Sequence, residues 1–86
     1  MNAILETCKL YDLAMLVEQD WKKPSVHAVP YIDAMLTMAS IDDNYYYDPG
    51  YEIVARFLGN AQTWRGETAR RVKAELNSRL AKISIA

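Results

Sequence analysis

The chain has 86 residues, of which 51% are hydrophobic and 24% charged, and its net charge is −1. This size and composition fit a single domain with one modest core, and they exclude a disordered chain and any polyanion binder driven by overall charge alone. The charge is uneven: residues 1–43 carry three Lys/Arg and seven Asp/Glu, whereas residues 44–86 carry seven and four. Such halves complement each other within one molecule or between copies, or the second half forms a basic binding face.

Helical periodicity predicts a first helix from about Asn2 to Trp21. Ala3, Leu10, Leu13, Ala14, Val17 and Trp21 share one face; Ile4, Cys8, Tyr11 and Met15 share another. A small domain normally buries one stripe of a helix. Two apolar faces imply either a central helix or a second face meant for a partner. Pro24 stops this helix, and Lys22 and Lys23 fall in its last turn, where the helix dipole favours cations. Cys8 is the single cysteine, so there is no internal disulfide, and on an apolar face an inert buried thiol is expected.

A short connector, Pro24 to Val29, holds the single histidine, His27. With no second His or nearby Cys, zinc spacing is absent. Pro30 suits the first turn of a second helix running to about Ser40. This helix is nearly all apolar, with Asp33, Thr37 and Ser40 as one polar strip, so burial on most sides is expected. Asp33 is expected to be partly buried.

The segment Asp42-Asp43-Asn44-Tyr45-Tyr46-Tyr47-Asp48 ends that helix. Counted as a calcium loop from Asp42, its sixth residue is Tyr47 and its twelfth Ile53, so the required Gly and Glu are missing. No metal site is predicted. Tyrosine-rich loops make recognition surfaces because Tyr offers large contact area at low entropy cost. Core packing of one or two of these tyrosines is the competing reading.

Asp48 as N-cap and Pro49 at the first position predict a third helix to about Leu58, with Ile53, Val54, Phe57, Leu58 and Ala61 on one face. Gly59-Asn60 reads as its C-cap. Thr63 is the expected N-cap of a fourth helix to about Ala81, with Ala69, Val72, Leu76, Leu80 and Ile83 inward. Trp64 reads as a core anchor or as an interface residue beside Arg65. Gly66 falls in the expected first turn, where it weakens a helix. Glu67, Arg71, Glu75 and Arg79 form a ladder of alternating sign. That leaves Arg70, Lys73 and Lys82, with Arg65, as the residues of a nucleic-acid reading.

These elements predict an all-α, four-helix bundle-like domain over residues 1–86. The segments AVPYIDAM (28–35), SIDDNY (40–45) and FLGNAQTWRGETARRVKAEL (57–76) resemble small uncharacterised proteins of bacteriophage type. The resemblance implies a phage or prophage product in a bacterial cytoplasm that works by binding a protein. It carries no established activity and no site residues.

No phosphate-binding glycine loop, nucleophile elbow or dinucleotide fingerprint is present. A catalytic site would need Asp33, Asp42 or Asp43 to converge with His27. The sequence thus predicts a soluble, cytoplasmic, non-enzymatic interaction module without cofactor or small-molecule substrate. Its partners are expected to be a second copy, another protein, or both, through Tyr11, Met15, Tyr45, Tyr46, Tyr47, Trp64 and Arg65. The alternative is a helical nucleic-acid binder using Arg65, Arg70, Lys73 and Lys82.

Overall fold

In the computed structural model, residues 5–83 are described. They form four helices and one β-hairpin: α1 (Leu10–Asp20), α2 (Val29–Met35), β1 (Asn44–Tyr45), β2 (Asp48–Pro49), α3 (Gly50–Gly59) and α4 (Glu67–Ala81). Each helix packs against its neighbours in a ring: α1 against α2 and α4, α3 against α2 and α4, and the hairpin against α3. The radius of gyration is 11.9 Å, close to the ~12 Å of a compact chain of this length.

The first helix starts later than its periodicity suggests. Leu5 and Glu6 are helical, but the chain breaks over residues 7–9 before α1 begins. Two contacts set the new start. The Asp12 carboxylate accepts the Lys9 N–H at 3.0 Å, which is one arm of a capping box. The Leu10 N–H donates to the Ala39 carbonyl at 3.0 Å, outside any helix. Cys8 therefore precedes α1 and is half-buried. Ala3 and Ile4 lie outside the described residues. At the other end, α1 stops at Asp20 with no cation in its last turn, because Trp21 is already extended and Lys22 and Lys23 lie beyond it.

The second helix is shorter than the apolar run implies. It ends at Met35, and the Thr37 hydroxyl donates to the Ala34 carbonyl at 2.7 Å. Such a local bond competes with continued helix. The Ala39 and Ser40 N–H groups both donate to the Asp43 carboxylate at 3.1 Å, so they have no helical partner. Met38 and Ile41 are nevertheless buried. Asp33 is exposed rather than partly buried.

The hairpin departs from the all-α expectation. Asn44 pairs with Pro49 and Tyr45 with Asp48. Asp48 therefore lies in a strand, and Pro49 occupies the N-cap position of α3. Gly50 makes this join possible. Its N–H donates to the Asp43 carbonyl at 2.7 Å, and a Cβ there would sit 2.7 Å from the carbonyl oxygens of both Asp43 and Ile41. Asn60 is the C-cap of α3 and has negative φ.

The fourth helix starts four residues after Thr63. Its N-cap is Gly66, with φ 113° and ψ −178°, a region that is essentially glycine's alone. Gly66 thus redirects the chain into α4 instead of weakening its interior.

The core joins all four helices through Leu10, Leu13, Val17, Met35, Val54, Phe57, Val72 and Leu76, each at most 1% exposed. Among the described residues no polar or charged side chain is buried. Gly50→Ala is expected to lower stability by roughly 1–3 kcal/mol through overpacking. Gly59→Ala, where a Cβ meets nothing within 4 Å, is expected to be neutral or stabilising. Urea denaturation of both variants measures the contrast.

Candidate functional site

Among the described residues, large apolar side chains meet water at Val26 and Val29 around the start of α2, and on two surfaces that carry predicted site residues. The first is the outer side of α1. Tyr11 and Met15 stand one turn apart, 38% and 47% exposed, opposite the buried Leu10, Leu13, Ala14 and Val17. With Cys8 off the helix, the described part of the second apolar face consists of this pair, flanked by the half-buried Leu16.

The second surface is the hairpin tip. Tyr46 and Tyr47 form the two-residue loop between β1 and β2. Tight hairpin loops of this length need positive φ, normally supplied by Gly, Asn or Asp. Here Tyr46 adopts φ 58°, an outlier for a bulky residue. Its ring meets the Tyr45 ring edge-on, centroids 4.8 Å apart at 78°. Tyr45 packs against the core, whereas Tyr46 is 82% exposed and Tyr47 fully so. The tyrosine segment therefore divides: one ring anchors and two are displayed. Tyr51, in the first turn of α3, is also exposed. A helical wheel would have found it, since it falls opposite Ile53 and Phe57.

Trp64 is in the core, 2% exposed, and so does not contribute to a surface. Its ring stacks on Trp21 with centroids 5.9 Å apart and meets Phe57 at 62°. Its indole N–H donates to the Asp20 carboxylate at 2.8 Å. Arg65 beside it is exposed.

The basic helix is largely committed to the fold. The Lys73 ammonium lies 5.8 Å from the Trp64 ring centroid and donates to the Trp64 carbonyl at 2.6 Å. Lys73 is therefore not the free cation that helical spacing suggested. Partial burial and then the nearby Arg65 guanidinium lower its pKa from the ordinary lysine value. Arg71 pairs with Glu67, as the ladder predicts. Arg79 pairs with Glu75 at 2.7 Å, with the two side chains only 15% and 11% exposed. Its guanidinium also donates to the carbonyls of Leu5 and Cys8, at 2.9 and 2.7 Å. Sequence spacing gave no sign of that clamp, because its partners lie 74 and 71 residues away. Arg65, Arg70 and Lys82 remain exposed.

The residues weighed for chemistry stand apart. His27 is exposed in the turn before α2, its backbone N–H donating to the Ser25 hydroxyl at 3.2 Å. The Asp43 carboxylate is engaged by backbone N–H groups. A concavity of about 450 Å³ between residues 39–42 and the end of α4 includes Asp42, Arg79 and Lys82, but neither His27 nor Asp33. Among the described residues there is no cluster of three or more His, Cys, Asp or Glu side chains able to hold a metal ion. No described helix is long and apolar enough to cross a membrane.

Comparison with protein-family models, curated proteins and solved structures finds no match to this chain. The geometry therefore carries the argument about function.

Arg79→Lys is expected to destabilise the fold by about 2 kcal/mol, because an ammonium cannot reproduce the planar fork that reaches Glu75 and two carbonyls together. Hydrogen exchange on the intact protein tests the mechanism. Protection should fall around Cys8 and the start of α1 before it falls in α3.

Proposed function

We propose that this chain is a non-enzymatic protein-interaction module that self-associates through the outer face of α1. The tyrosine hairpin is then a second surface, open to another protein. The observation that carries this reading is the exposure of Tyr11 and Met15 one turn apart on a helix whose opposite face is closed into the core. Tyr11 and Met15 are already more than half covered, so completing their burial contributes about half, or less, of the roughly 1.5–3 kcal/mol of a fully exposed side chain of this size. Across a two-fold axis each α1 would give and receive the same contact, so one apolar pair is used twice. The fold supports such use, since Leu13 and Val17 fix the helix from behind and little ordering remains for association.

The resemblance to small bacteriophage proteins supplies the context of this proposal: an accessory or anti-host factor acting in a bacterial cytoplasm on a protein partner. Size-exclusion chromatography with light scattering tests the self-association. A dimer is expected at both low and high salt, because the contact is apolar. Tyr11→Lys and Met15→Lys are each expected to give a monomer with unchanged helical circular dichroism. A wild-type chain that stays monomeric at high concentration would overturn the α1 interface.

A further inference from the structure

The concavity of about 450 Å³ beside the end of α4 falls within the size range of small-molecule pockets. One wall is the segment 39–42; the other is the end of α4, with Arg79, Lys82 and Ile83. Its apolar part is the buried Ile41 and the half-buried Ile83, both packed into the core cluster. Its polar part carries opposite charges on the two walls, Asp42 on the loop and Lys82 on the helix end. The ion pairs among the described residues join Glu52 to Arg56, Glu67 to Arg71 and Glu75 to Arg79. None of them joins Asp42 to Lys82, so a gap separates these two charges. Arg79 adds little net charge, because the Glu75 carboxylate sits against it at 2.7 Å. The concavity is thus bipolar and close to neutral.

Both walls are fixed by bonds already made. The Ala39 carbonyl accepts the Leu10 N–H, and the Asp43 carboxylate accepts the Ala39 and Ser40 N–H groups. The Ser40 hydroxyl accepts the Asp42 N–H at 3.1 Å. Across the gap, Arg79 is held by Glu75 and by the carbonyls of Leu5 and Cys8. The entropy cost of binding a charged ligand therefore falls on two exposed side chains, Asp42 and Lys82. The Asp42 carboxylate meets the Ser40 hydroxyl through one oxygen, at 3.4 Å, which leaves its second oxygen as an acceptor. A ligand with a single charge is drawn by one of these groups and repelled by the other. A zwitterion satisfies both, with a charge-assisted hydrogen bond at each end.

We propose that this concavity binds a free α-amino acid with a branched apolar side chain, its ammonium on Asp42, its carboxylate on Lys82 and its side chain against Ile41 and Ile83. The molecule is held and not transformed, so the site is compatible with a non-enzymatic module. Its lining belongs neither to the outer face of α1 nor to the hairpin tip, and the inference does not depend on either surface.

The test is a titration of the full chain with L-leucine at low salt, following backbone amides and isoleucine methyl groups by NMR. Saturable shifts are expected at Ser40, Ile41, Asp42 and Ile83. Three truncated ligands divide the contributions: 4-methylpentanoate lacks the ammonium, 3-methylbutylamine lacks the carboxylate, and glycine lacks the side chain. The first two should each bind about ten-fold more weakly, the loss expected for one charge-assisted hydrogen bond. Glycine should lose a similar factor, about ten-fold, for want of apolar contact. Asp42→Asn and Lys82→Gln should each weaken L-leucine binding about ten-fold. Asp33→Asn and Lys22→Gln, which remove the same charges elsewhere, should stay within about two-fold. All four side chains are exposed, and circular dichroism checks that each variant folds. Absence of saturable shifts at millimolar L-leucine overturns the proposal. So does equally tight binding of any truncated ligand, since the zwitterion with its side chain is then not what is read. Unchanged affinity in both Asp42→Asn and Lys82→Gln places the molecule elsewhere and overturns it as well.

Discussion

The indole of Trp64 is the point on which the rest of the fold depends. It joins three of the four described helices: Trp21 just past α1 stacks on it, Phe57 of α3 meets it edge-on, and Lys73 of α4 lies over it. Its single polar atom is satisfied by Asp20 at the edge of the core. The arrangement lets a large aromatic be buried without an unpaired donor, which would otherwise cost as much as several methylene burials contribute. It also explains Lys73, whose ammonium is drawn inward to the Trp64 carbonyl and away from solvent.

Arg79 serves the opposite end of α4 in a related manner. By holding the carbonyls of Leu5 and Cys8, it accepts the broken turn ahead of α1 as a docked segment. That break changes the reading of the surface. An uninterrupted first helix would have carried one long apolar stripe outward. The observed α1 instead exposes Tyr11 and Met15 as a compact pair.

Much of this was legible in the sequence. The inward faces of α1, α3 and α4 follow from 3.6-residue periodicity, and Leu13, Val17, Ile53, Phe57, Val72 and Leu76 are buried as that periodicity requires. The misplaced elements are those whose ends are not set by periodicity. Each boundary was moved by a contact distant in sequence, by a side chain competing for a backbone group, or by a backbone conformation that periodicity does not reveal. Thr37 and Asp43 cut α2 short, and Gly66 rather than Thr63 opened α4. The strands are two residues each, too short to show alternation, and three consecutive tyrosines hide a turn that usually announces itself with glycine. Of the candidate surface, Tyr11, Met15, Tyr46 and Tyr47 stand exposed. Tyr45 and Trp64 face inward, a division that composition alone leaves undetermined.

The same division leaves both tryptophans inside and most of the tyrosines outside. Both tryptophans lie stacked in the interior, while Tyr11, Tyr46, Tyr47 and Tyr51 face water. Indole emission, excited selectively at the red edge of absorption, therefore follows whether α1, α3 and α4 are assembled. Phenol signals are dominated by the four exposed tyrosines and report chiefly on the outside, although Tyr31 and Tyr45 pack on the core. One unlabelled protein thus carries two optical channels, one for its own integrity and one for its encounters.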